Sequence, residues 1–433
     1  MAQLAMALAP HAQVFWVVCG PGLNGADGLA AADALKQRGK TVWVTRAEDQ
    51  NPPSANCEVC IDALLGIGVN REVDGVMRYA IDLINQFYAQ HQGLVISIDV
   101  PSGLNADTGQ CWGNAVHAHH TLSMLSLKPG LLMAQGRDHA GEIWLTPLNV
   151  EGQAFSFKSI GKPTPQPRQH ASHKGSYGDL TVVGGRHGMT GAALLAARSA
   201  LYRGAGRVHV CLIGPGHIDP DKASSQDLDT TEPGLMFGSL YDLLQHNTPL
   251  STIVCGCGGG TDMTHILSAM MSRAQNLVLD ADALNALALD VSLQKILRQR
   301  KLRHKATVLT PHPLEAARLL GIATPQVQED RLASAQKLSE QFRCTVVLKG
   351  SGTVVAEPGQ ITAINPTGNA LLSTAGTGDV LAGGIGAYMA QGLEAYGAAC
   401  AAVWSHGWVA DHWNLGTQGP LTASKLACAS SGT

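Results

Sequence analysis

The chain has 433 residues, 45% hydrophobic and 15% charged, with a formal net charge of -3. This length and apolar content predict two or three domains with sizeable cores. The nearly balanced charge argues against a nucleic-acid partner or an acidic membrane surface. Because no apolar run reaches about 18 residues and the first residues carry no basic segment, we expect neither a transmembrane helix nor a signal peptide.

Ten cysteines are scattered along the chain without the spacing of a disulfide framework. Cys57 and Cys60 form a CxxC pair, but no second pair at zinc spacing accompanies it. We interpret the pair as packed thiols of a buried strand. Free thiols in this number indicate a reducing compartment, so we expect a cytoplasmic protein.

A change in composition separates two halves of the chain. Between residues 151 and 170, three prolines alternate with polar residues, which predicts a semi-rigid linker. The domains are therefore predicted at residues 1–150 and 171–433. In both, short β-branched runs alternate with segments rich in Ala and Leu, and this alternation predicts an α/β fold with parallel sheets covered on both faces.

Apolar periodicity places the predicted elements in chain order. The first half is predicted to have strands at 14–19, 41–44, 57–65 and 94–100 and helices at 29–38 and 76–89. The second half is predicted to have strands at 180–183, 208–212, 252–256, 276–280, 307–309 and 345–349, a hairpin near 353–364, and helices at 192–203, 315–320 and 380–413.

A glycine-rich loop at residues 20–28 follows the first predicted strand and opens a helix. It satisfies GxGxxG, and Glu48 or Asp49 follows about 20 positions later, so a dinucleotide site of the Rossmann type is one interpretation. Asn24 and Asp27 go beyond that pattern, because they add side-chain oxygens inside the loop.

Oxygen-bearing side chains also end the next predicted strands. Asp62 ends one strand, and Asp99 and Ser102 lie at the end of another. Because the carboxyl ends of parallel strands converge on one crevice, Asn24, Asp62 and Ser102 could coordinate a weakly hydrated cation. Each side chain taken alone could instead cap a turn or a helix.

These motifs make the first half, over residues 14–150, similar to the NAD(P)H-hydrate epimerase domain, which segment 128–131 also resembles. The resemblance implies a Rossmann-like three-layer sandwich in which Asn24, Asp62 and Ser102 hold K+. It implies that Asp99 faces the hydrated nicotinamide as a catalytic residue. It also implies that two loops bind the hydrate through Leu23, Asn24, Gly25, Ala26, Asp27, Gly66, Ile67, Gly68, Val69, Asn70, Arg71 and Glu72.

Three positions depart from that family's usual motifs. Leu23 stands where Asn is usual, Ala26 where Gly is usual and Ile67 where Thr is usual. The family also carries further N-terminal helices that pack over the site. We therefore expect a domain truncated at its N-terminus with an apolar face left uncovered, and a non-catalytic binding or assembly module stays an alternative.

In the second half, residues 373–384 join a Gly/Thr run to one carboxylate, Asp379, and an apolar helix. Glycines let backbone N–H groups approach an anion, and the start of the helix adds its positive end. Asp379 is then placed to take a proton from a hydroxyl during phosphoryl transfer. The alternative is a glycine-rich turn that caps a packed helix.

Other polar motifs of this half also follow predicted strands. Asp280 ends one strand, and His312 lies between two prolines after another. Lys349 leads into a glycine-containing turn at residues 350–353, which suits contact with phosphate or adenosine. Taken alone, His312 could be structural, and the turn could simply close a hairpin.

The order of six motifs between residues 174 and 379 resembles the ADP- or ATP-dependent NAD(P)H-hydrate dehydratase, a member of the ribokinase-like superfamily. Cys257 and Gly259 alter its usual Gly-Pro-Gly-Leu-Gly. The resemblance implies that Asp379 is the catalytic base and that the hydrate contacts Ala192, Gly260, His312 and Asp379. It implies that ADP or ATP, with Mg2+, is bound by Lys349, Gly350, Ser351, Gly352, Thr353 and Gly378.

The two resemblances together predict an enzyme that repairs hydrated nicotinamide cofactors. The second half would dehydrate the S hydrate, and the first would interconvert the R and S epimers. We expect NADHX, NADPHX and ADP or ATP as small-molecule partners, and a homo-oligomer. The alternative is a ribokinase-like kinase for a vitamin precursor with a non-catalytic N-terminal module, which would leave a stable phosphorylated product.

Overall fold

The computed structural model describes residues 1–49, 53, 56–90, 93–148, 150, 155–164, 167–214, 229–245 and 250–429. It divides the chain into two compact units, Met1–Phe155 and Ser156–Thr433. No helix in the described ranges is long and apolar enough to cross a membrane.

The first unit is built on one parallel sheet with the strand order β2-β1-β3-β4-β5-β6. Its helices and strands are α1 (Ala2–Leu8), β1 (Val14–Cys19), α2 (Leu23–Gln37), β2 (Thr41–Arg46), β3 (Val59–Ala63), α3 (Gly75–Ala89), β4 (Leu94–Ile98), β5 (His120–Met124), α4 (Gly136–His139) and β6 (Glu142–Thr146). The central strands β1, β3 and β4 are almost wholly buried, as expected of a sheet covered on both faces.

The glycine-rich segment differs from its prediction, because helix α2 begins at Leu23 rather than at Leu29. The helix can begin early because Gly25 and Gly28 let it lie closer to its neighbours than a side chain at either position would allow. A Cβ on Gly25 would stand 1.9 Å from the carbonyl oxygen of Gly20, and one on Gly28 would stand 2.5 Å from the Cβ of Ala63. Residues 23–28 are therefore the first turns of a helix and not a loop.

The segment before β1 also forms structure that the sequence did not predict. Helix α1 packs Ala2 and Ala5 into the core that holds Phe15 and Leu35. The face of the sheet that the sequence left uncovered is thus partly covered by α1. Strands β5 and β6 were missed as well, because they are short and only half apolar.

The second unit is built on one ten-stranded sheet with the order β10-β9-β8-β11-β12-β13-β14-β15-β16-β7. Its strands are β7 (Phe157–Ser159), β8 (Asp179–Gly184), β9 (Arg207–Leu212), β10 (Met236–Phe237), β11 (Leu250–Cys255), β12 (Ala274–Leu279), β13 (Ala306–Leu309), β14 (Thr345–Leu348), β15 (Val354–Ala356) and β16 (Thr362–Ile364). All neighbouring pairs are parallel except β14 with β15 and β15 with β16.

Helices flank this second sheet. They are α5 (Thr190–Tyr202), α6 (Leu240–Gln245), α7 (Met263–Arg273), α8 (Asp282–Leu289), α9 (Val291–Leu302), α10 (Pro313–Leu320), α11 (Thr324–Glu329), α12 (Arg331–Phe342), α13 (Thr377–Ala390), α14 (Ala395–Asp411), α15 (Leu415–Gln418) and α16 (Ala423–Cys428). The predicted helix at 380–413 is two helices, because α13 ends before Gly392, whose φ is +95°.

The predicted linker at residues 151–170 needs a correction within its described part. Phe157–Ser159 forms strand β7, which pairs in parallel with β16 at the edge of the second sheet. Backbone hydrogen bonding to a neighbouring strand thus prevails over the polar and proline-rich composition. Residues 151–154, 165 and 166 lie outside the described residues.

The position of α13 is fixed by close contact with α5. A Cβ on Gly383 of α13 would stand 2.0 Å from the carbonyl oxygen of Ala196 on α5. The two backbones can approach this closely only with glycine at that position. Since Asp379 lies in the first turn of α13, this contact also sets where its carboxylate lies.

We predict that Gly383→Ala destabilises the second unit by about 1–3 kcal/mol, because the added methyl group overpacks the α5–α13 contact. Gly397→Ala in α14 is a matched control, since a Cβ there meets nothing within 4 Å. The control should leave the thermal midpoint unchanged or raise it, as replacing an exposed helical glycine does. Equal midpoints for the two variants would show that the helices do not depend on this contact.

Candidate functional sites

In the first unit, the three predicted cation ligands meet around the backbone of Leu65. The Asn24 Nδ2 donates to the Leu65 carbonyl at 2.9 Å, and the Leu65 N–H donates to the Ser102 Oγ at 2.8 Å. The Ser102 hydroxyl donates to Asp62 Oδ1 at 2.5 Å. The carboxyl ends of three strands place these residues: Asn24 follows β1, Asp62 lies near the end of β3, and Ser102 follows β4.

Asp62 is fully buried and accepts four hydrogen bonds. Its Oδ1 accepts from the Ser102 hydroxyl and from Leu64 N, and its Oδ2 accepts from the Ser97 hydroxyl and from Ser102 N. Burial raises the pKa of Asp62, and these hydrogen bonds oppose the rise. The side-chain oxygens of Asn24, Asp62 and Ser102 suit a hard, weakly hydrated cation. A cation bound to Asp62 would have to replace one of its four hydrogen bonds, and the one from the Ser102 hydroxyl can be released by rotation of that group.

Asp99 follows directly after β4 and has a φ of 66°, which is unusual for a residue other than glycine. Its Oδ1 accepts a hydrogen bond from Met124 N at 3.0 Å and another from the Lys128 ammonium. The segment 128–131, which the sequence singled out, therefore lies against the predicted catalytic carboxylate.

A cavity of about 290 Å³ lies beside these strand ends. Its lining includes six of the predicted hydrate-binding residues, Gly66, Gly68, Val69, Asn70, Arg71 and Glu72. It also includes Leu65, Val73, Asp74 and Met77, which the sequence did not single out although they lead into α3. Of the first predicted loop, Asn24 and Gly25 are buried, whereas Leu23, Ala26 and Asp27 are exposed. Ile67 is exposed as well and is not part of the lining.

In the second unit, three side chains converge at the start of α13. The Sγ of Cys257 and carboxylate oxygens of Asp280 and Asp379 all lie within 4.8 Å of one another. Burial raises the pKa of Asp379 to about 7, and the charge of Asp280 adds to the rise. A hydrogen bond from Cys257 and the charge of Lys349 oppose it. Asp379 is thus poised to gain or lose a proton near neutral pH.

Lys349 holds the carboxylates of this site together. Its Nζ lies 2.7 Å from Asp280 Oδ1 and 3.9 Å from Glu315 Oε2. Burial lowers the pKa of Lys349, but Asp280 and Glu315 raise it more, so the net shift is upward. The Thr310 hydroxyl donates a further hydrogen bond of 2.7 Å to Asp280. A Cβ on Gly378 would stand 3.3 Å from the Lys349 Nζ, so α13 begins directly against this ammonium.

His312 caps helix α10. Its Nδ1 accepts hydrogen bonds from Leu314 N and Glu315 N, and its own backbone N–H donates to Glu315 Oε2 at 2.8 Å. Burial and the charge of Lys349 lower the pKa of His312, so the ring is neutral at pH 7. Burial raises the pKa of Glu315 to about 7, against the pull of Lys349. The histidine is therefore a helix cap beside the site; its side chain is 45% exposed, and its Nε2 lies 3.4 Å from Glu315 Oε1.

The turn at residues 349–353 is held from beneath by the buried Arg331. The Arg331 guanidinium donates to the carbonyls of Leu348 and Lys349. Gly350, with a φ of 139°, is backed by this guanidinium, since a Cβ there would stand 2.7 Å from it. Within this turn Ser351 is exposed, and the predicted nucleotide contacts Gly352 and Thr353 come directly after Ser351.

The remaining predicted hydrate contacts lie around the loop after β11. The Gly260 N–H donates to Asp282 Oδ2 at 2.8 Å. A Cβ on Gly258 would stand 3.0 Å from the Cβ of Ala192, so α5 also borders this loop. Glu315 and Cys257 were not among the predicted site residues, whereas the Asp280 carboxylate was predicted to lie at a strand end of this half. The signal in the sequence for Asp280 and Cys257 was their position just after the parallel strands β12 and β11. Lys349 lies in the same way just after β14.

Comparison with family models assigns both units. Residues 180–431 match the family described as NAD(P)H-hydrate dehydratase. Residues 1–55 and 43–130 match the family described as YjeF-related protein N-terminus. The first match covers more than half of the chain.

Individual relatives extend over nearly the whole chain. A protein of Escherichia coli K12 described as a bifunctional NAD(P)H-hydrate repair enzyme is 33% identical, over 97% of this chain and 85% of its own. An ADP-dependent (S)-NAD(P)H-hydrate dehydratase of Neisseria meningitidis serogroup B is 40% identical, over 56% of this chain and 80% of its own. A ribokinase-like superfamily protein of Enterococcus faecalis V583 has the same fold with a TM-score of 0.50 and 22% identity, over 64% of this chain and 95% of its own.

The raised pKa values of Asp379 and Glu315 predict how stability depends on pH. Between about pH 4 and pH 7, the native chain keeps protons on these carboxyls that the unfolded chain has released. Their contribution to the free energy of unfolding therefore falls as the pH rises through this window. Asp379→Asn removes one of the two groups. The urea midpoint of this variant, relative to that of the parent, should therefore rise between pH 5 and pH 8.

The exposed Asp262, which caps no helix N–H, supplies the control variant Asp262→Asn. Its midpoint should follow the parent's at every pH. A constant difference between Asp379→Asn and the parent across the pH range would contradict the raised pKa of Asp379.

Proposed function

This chain belongs to the family of bifunctional NAD(P)H-hydrate repair enzymes, and we propose that each unit catalyses one step of the repair. The second unit dehydrates the S form of hydrated NADH or NADPH at the expense of ADP or ATP. The first unit interconverts the R and S forms. The observation that carries the proposal is the carboxylate of Asp379, with a pKa of about 7, at the start of α13 beside the half-buried Lys349.

Asp379 acts as the base of the dehydratase step. It takes the proton of the substrate hydroxyl as that oxygen bonds the terminal phosphorus of the nucleotide and the bond to the nucleotide's bridging oxygen breaks. The carbon–oxygen bond of the phosphorylated hydrate then breaks with its electron pair on phosphate. Loss of a proton from the neighbouring ring carbon restores the double bond. Phosphate is a far better leaving group than hydroxide, which is why a nucleotide is consumed.

The nucleotide lies along residues 349–353 and Gly378. Lys349 supplies a cation, the turn supplies backbone N–H groups, and the start of α13 adds its positive end. The carboxylate oxygens of Asp280 and Asp379 are donors of the kind Mg2+ takes, so Mg2+ that enters with the phosphates fits beside them. The hydrate then reaches Ala192, Gly260 and the half-exposed side chain of His312.

In the first unit, the hydrate occupies the cavity lined by residues 65, 66, 68–74 and 77. Epimerisation requires the carbon–oxygen bond to break and to form again on the opposite face of the ring. The lone pair of the ring nitrogen forms a C=N bond as the oxygen takes a proton and leaves as water, and water then adds to the other face and releases a proton. The Asp99 carboxylate stabilises the positive charge on the ring between these steps.

Asn24, Asp62 and Ser102 hold K+ next to this cavity. Their oxygens carry a single carboxylate charge, which suits a monovalent cation better than zinc. K+ bound there would supply a positive charge beside the Asp62 carboxylate, next to the loop at Leu65 that leads into the cavity. A homo-oligomer and a cytoplasmic location remain predictions of the sequence.

Replacing Asp379 by Asn should lower the dehydratase rate about 10²–10⁴-fold, because it removes the base and keeps the size of the side chain. The measurement is the return of nicotinamide absorbance from the S hydrate with ADP or ATP. Asp262→Asn should keep the parent rate. An Asp379→Asn rate within a factor of a few of the parent would rule Asp379 out as the base.

Potassium should stabilise the first unit, because a ligand that binds only the native state raises the thermal midpoint. We expect a higher midpoint in KCl than in LiCl at equal ionic strength, and faster epimerisation in KCl. Asp62→Asn keeps the shape of the side chain but removes its charge, so it should abolish both differences. A parent protein that behaves alike in both salts does not use the site for potassium.

A further inference from the structure

Lys128 and Asp99 form an ion pair at the edge of the first site. The Lys128 ammonium donates to Asp99 Oδ1 and, at 2.6 Å, to the carbonyl of Met124. The side chains of Lys128 and Asp99 are only 13% and 14% exposed. Water therefore screens the pair poorly, and an Asp99 carboxylate without this cation would be left largely uncompensated.

The hydrogen bonds of Asp99 are unevenly divided between its two oxygens. Oδ1 accepts from both Lys128 and Met124 N, the latter at 3.0 Å. Oδ2 has no hydrogen bond to any of the described residues. One oxygen is thus fixed by the protein, and the other remains available to a bound ligand.

The backbone of Asp99 adds to this fixed orientation. Its φ of 66° turns the chain sharply at the end of β4. Lys128 reaches the carboxylate from the segment that follows β5, the strand next to β4 in the sheet. The pair therefore joins the ends of two neighbouring strands at the position of the carboxylate.

We propose that Lys128 is a positioning residue for the epimerase reaction, and this inference rests on the function proposed above for the first unit. Lys128 holds Oδ1 of the Asp99 carboxylate in place, so that Oδ2 faces the ring as positive charge develops there. Lys128 itself does not contact the substrate. Its effect on the reaction passes entirely through Asp99.

The test measures epimerisation of the R hydrate by coupling it to the dehydratase step of the same chain. Lys128→Met should lower the epimerase kcat about 10–100-fold, the range seen when a partner that orients an active group is lost. KM should change little, because the lysine does not bind substrate. The dehydratase rate on the S hydrate should not change and reports that the second unit is intact.

Three further variants separate positioning from mere support of the fold. Lys128→Arg keeps the charge and should retain clearly more activity than Lys128→Met. In an Asp99→Asn background, Lys128→Met should have no further effect, because the residue acts only through that carboxylate. Lys36→Met is the control, since Lys36 is an exposed lysine of α2 whose contact with Asp33 is 3.9 Å long.

Each outcome decides the inference. A loss in Lys128→Met that is recovered in Lys128→Arg and absent in the Asp99→Asn background supports it. An epimerase rate of Lys128→Met within twofold of the parent overturns it, and so do equally inactive Arg and Met variants. A further loss in the Asp99→Asn background also overturns it. If the parent chain itself fails to epimerise the R hydrate, the proposed function of the first unit fails, and the inference falls with it.

Discussion

The contact between the Lys349 ammonium and Asp280 is the interaction on which the second site depends. At 2.7 Å, it allows a carboxylate that is only 2% exposed to lie next to a second carboxylate. Without the cation, Asp280 and Asp379 would repel each other in a poorly hydrated place. With it, Asp379 has a pKa of about 7, which is where a base must titrate to act at neutral pH.

A similar principle applies in the first unit, with different partners. Within the described residues, Asp62 is compensated by four hydrogen bonds from its own and the neighbouring strand end. Asp99 is compensated by a lysine and a backbone N–H. The two carboxylates thus have different environments, which agrees with the different tasks we propose for them: Asp62 organises the loop at Leu65, and Asp99 offers one oxygen to the ligand.

Much of this arrangement could be predicted from the sequence, because parallel strands place their carboxyl ends along one edge. The strands that end next to Asp62, Asp280 and Lys349 were predicted to within two residues, since each is rich in buried apolar side chains. Family membership, and with it the choice of repair enzyme over a vitamin-precursor kinase, also agrees with the prediction made from the motifs.

What the sequence could not show depends on contacts between distant residues. The early start of α2 at Leu23 depends on glycines that fit against Gly20 and Ala63, and strand β7 forms only because β16 offers an edge. Cys257 and Glu315 looked like a loop residue and a helix residue, and only the fold places them beside Asp379 and Lys349. The partner of Asp99 lies 29 positions along the chain, beyond the reach of any local pattern.

The central claim is that one chain returns both hydrate epimers to the intact cofactor. The most direct measurement supplies an equal mixture of R and S hydrates with ADP or ATP and follows nicotinamide absorbance to completion. The account predicts full recovery by the parent chain, whereas Asp99→Asn should recover the S half rapidly and the R half far more slowly than the parent does. A phosphorylated product that accumulates, or a parent chain that stops at half recovery, would contradict it.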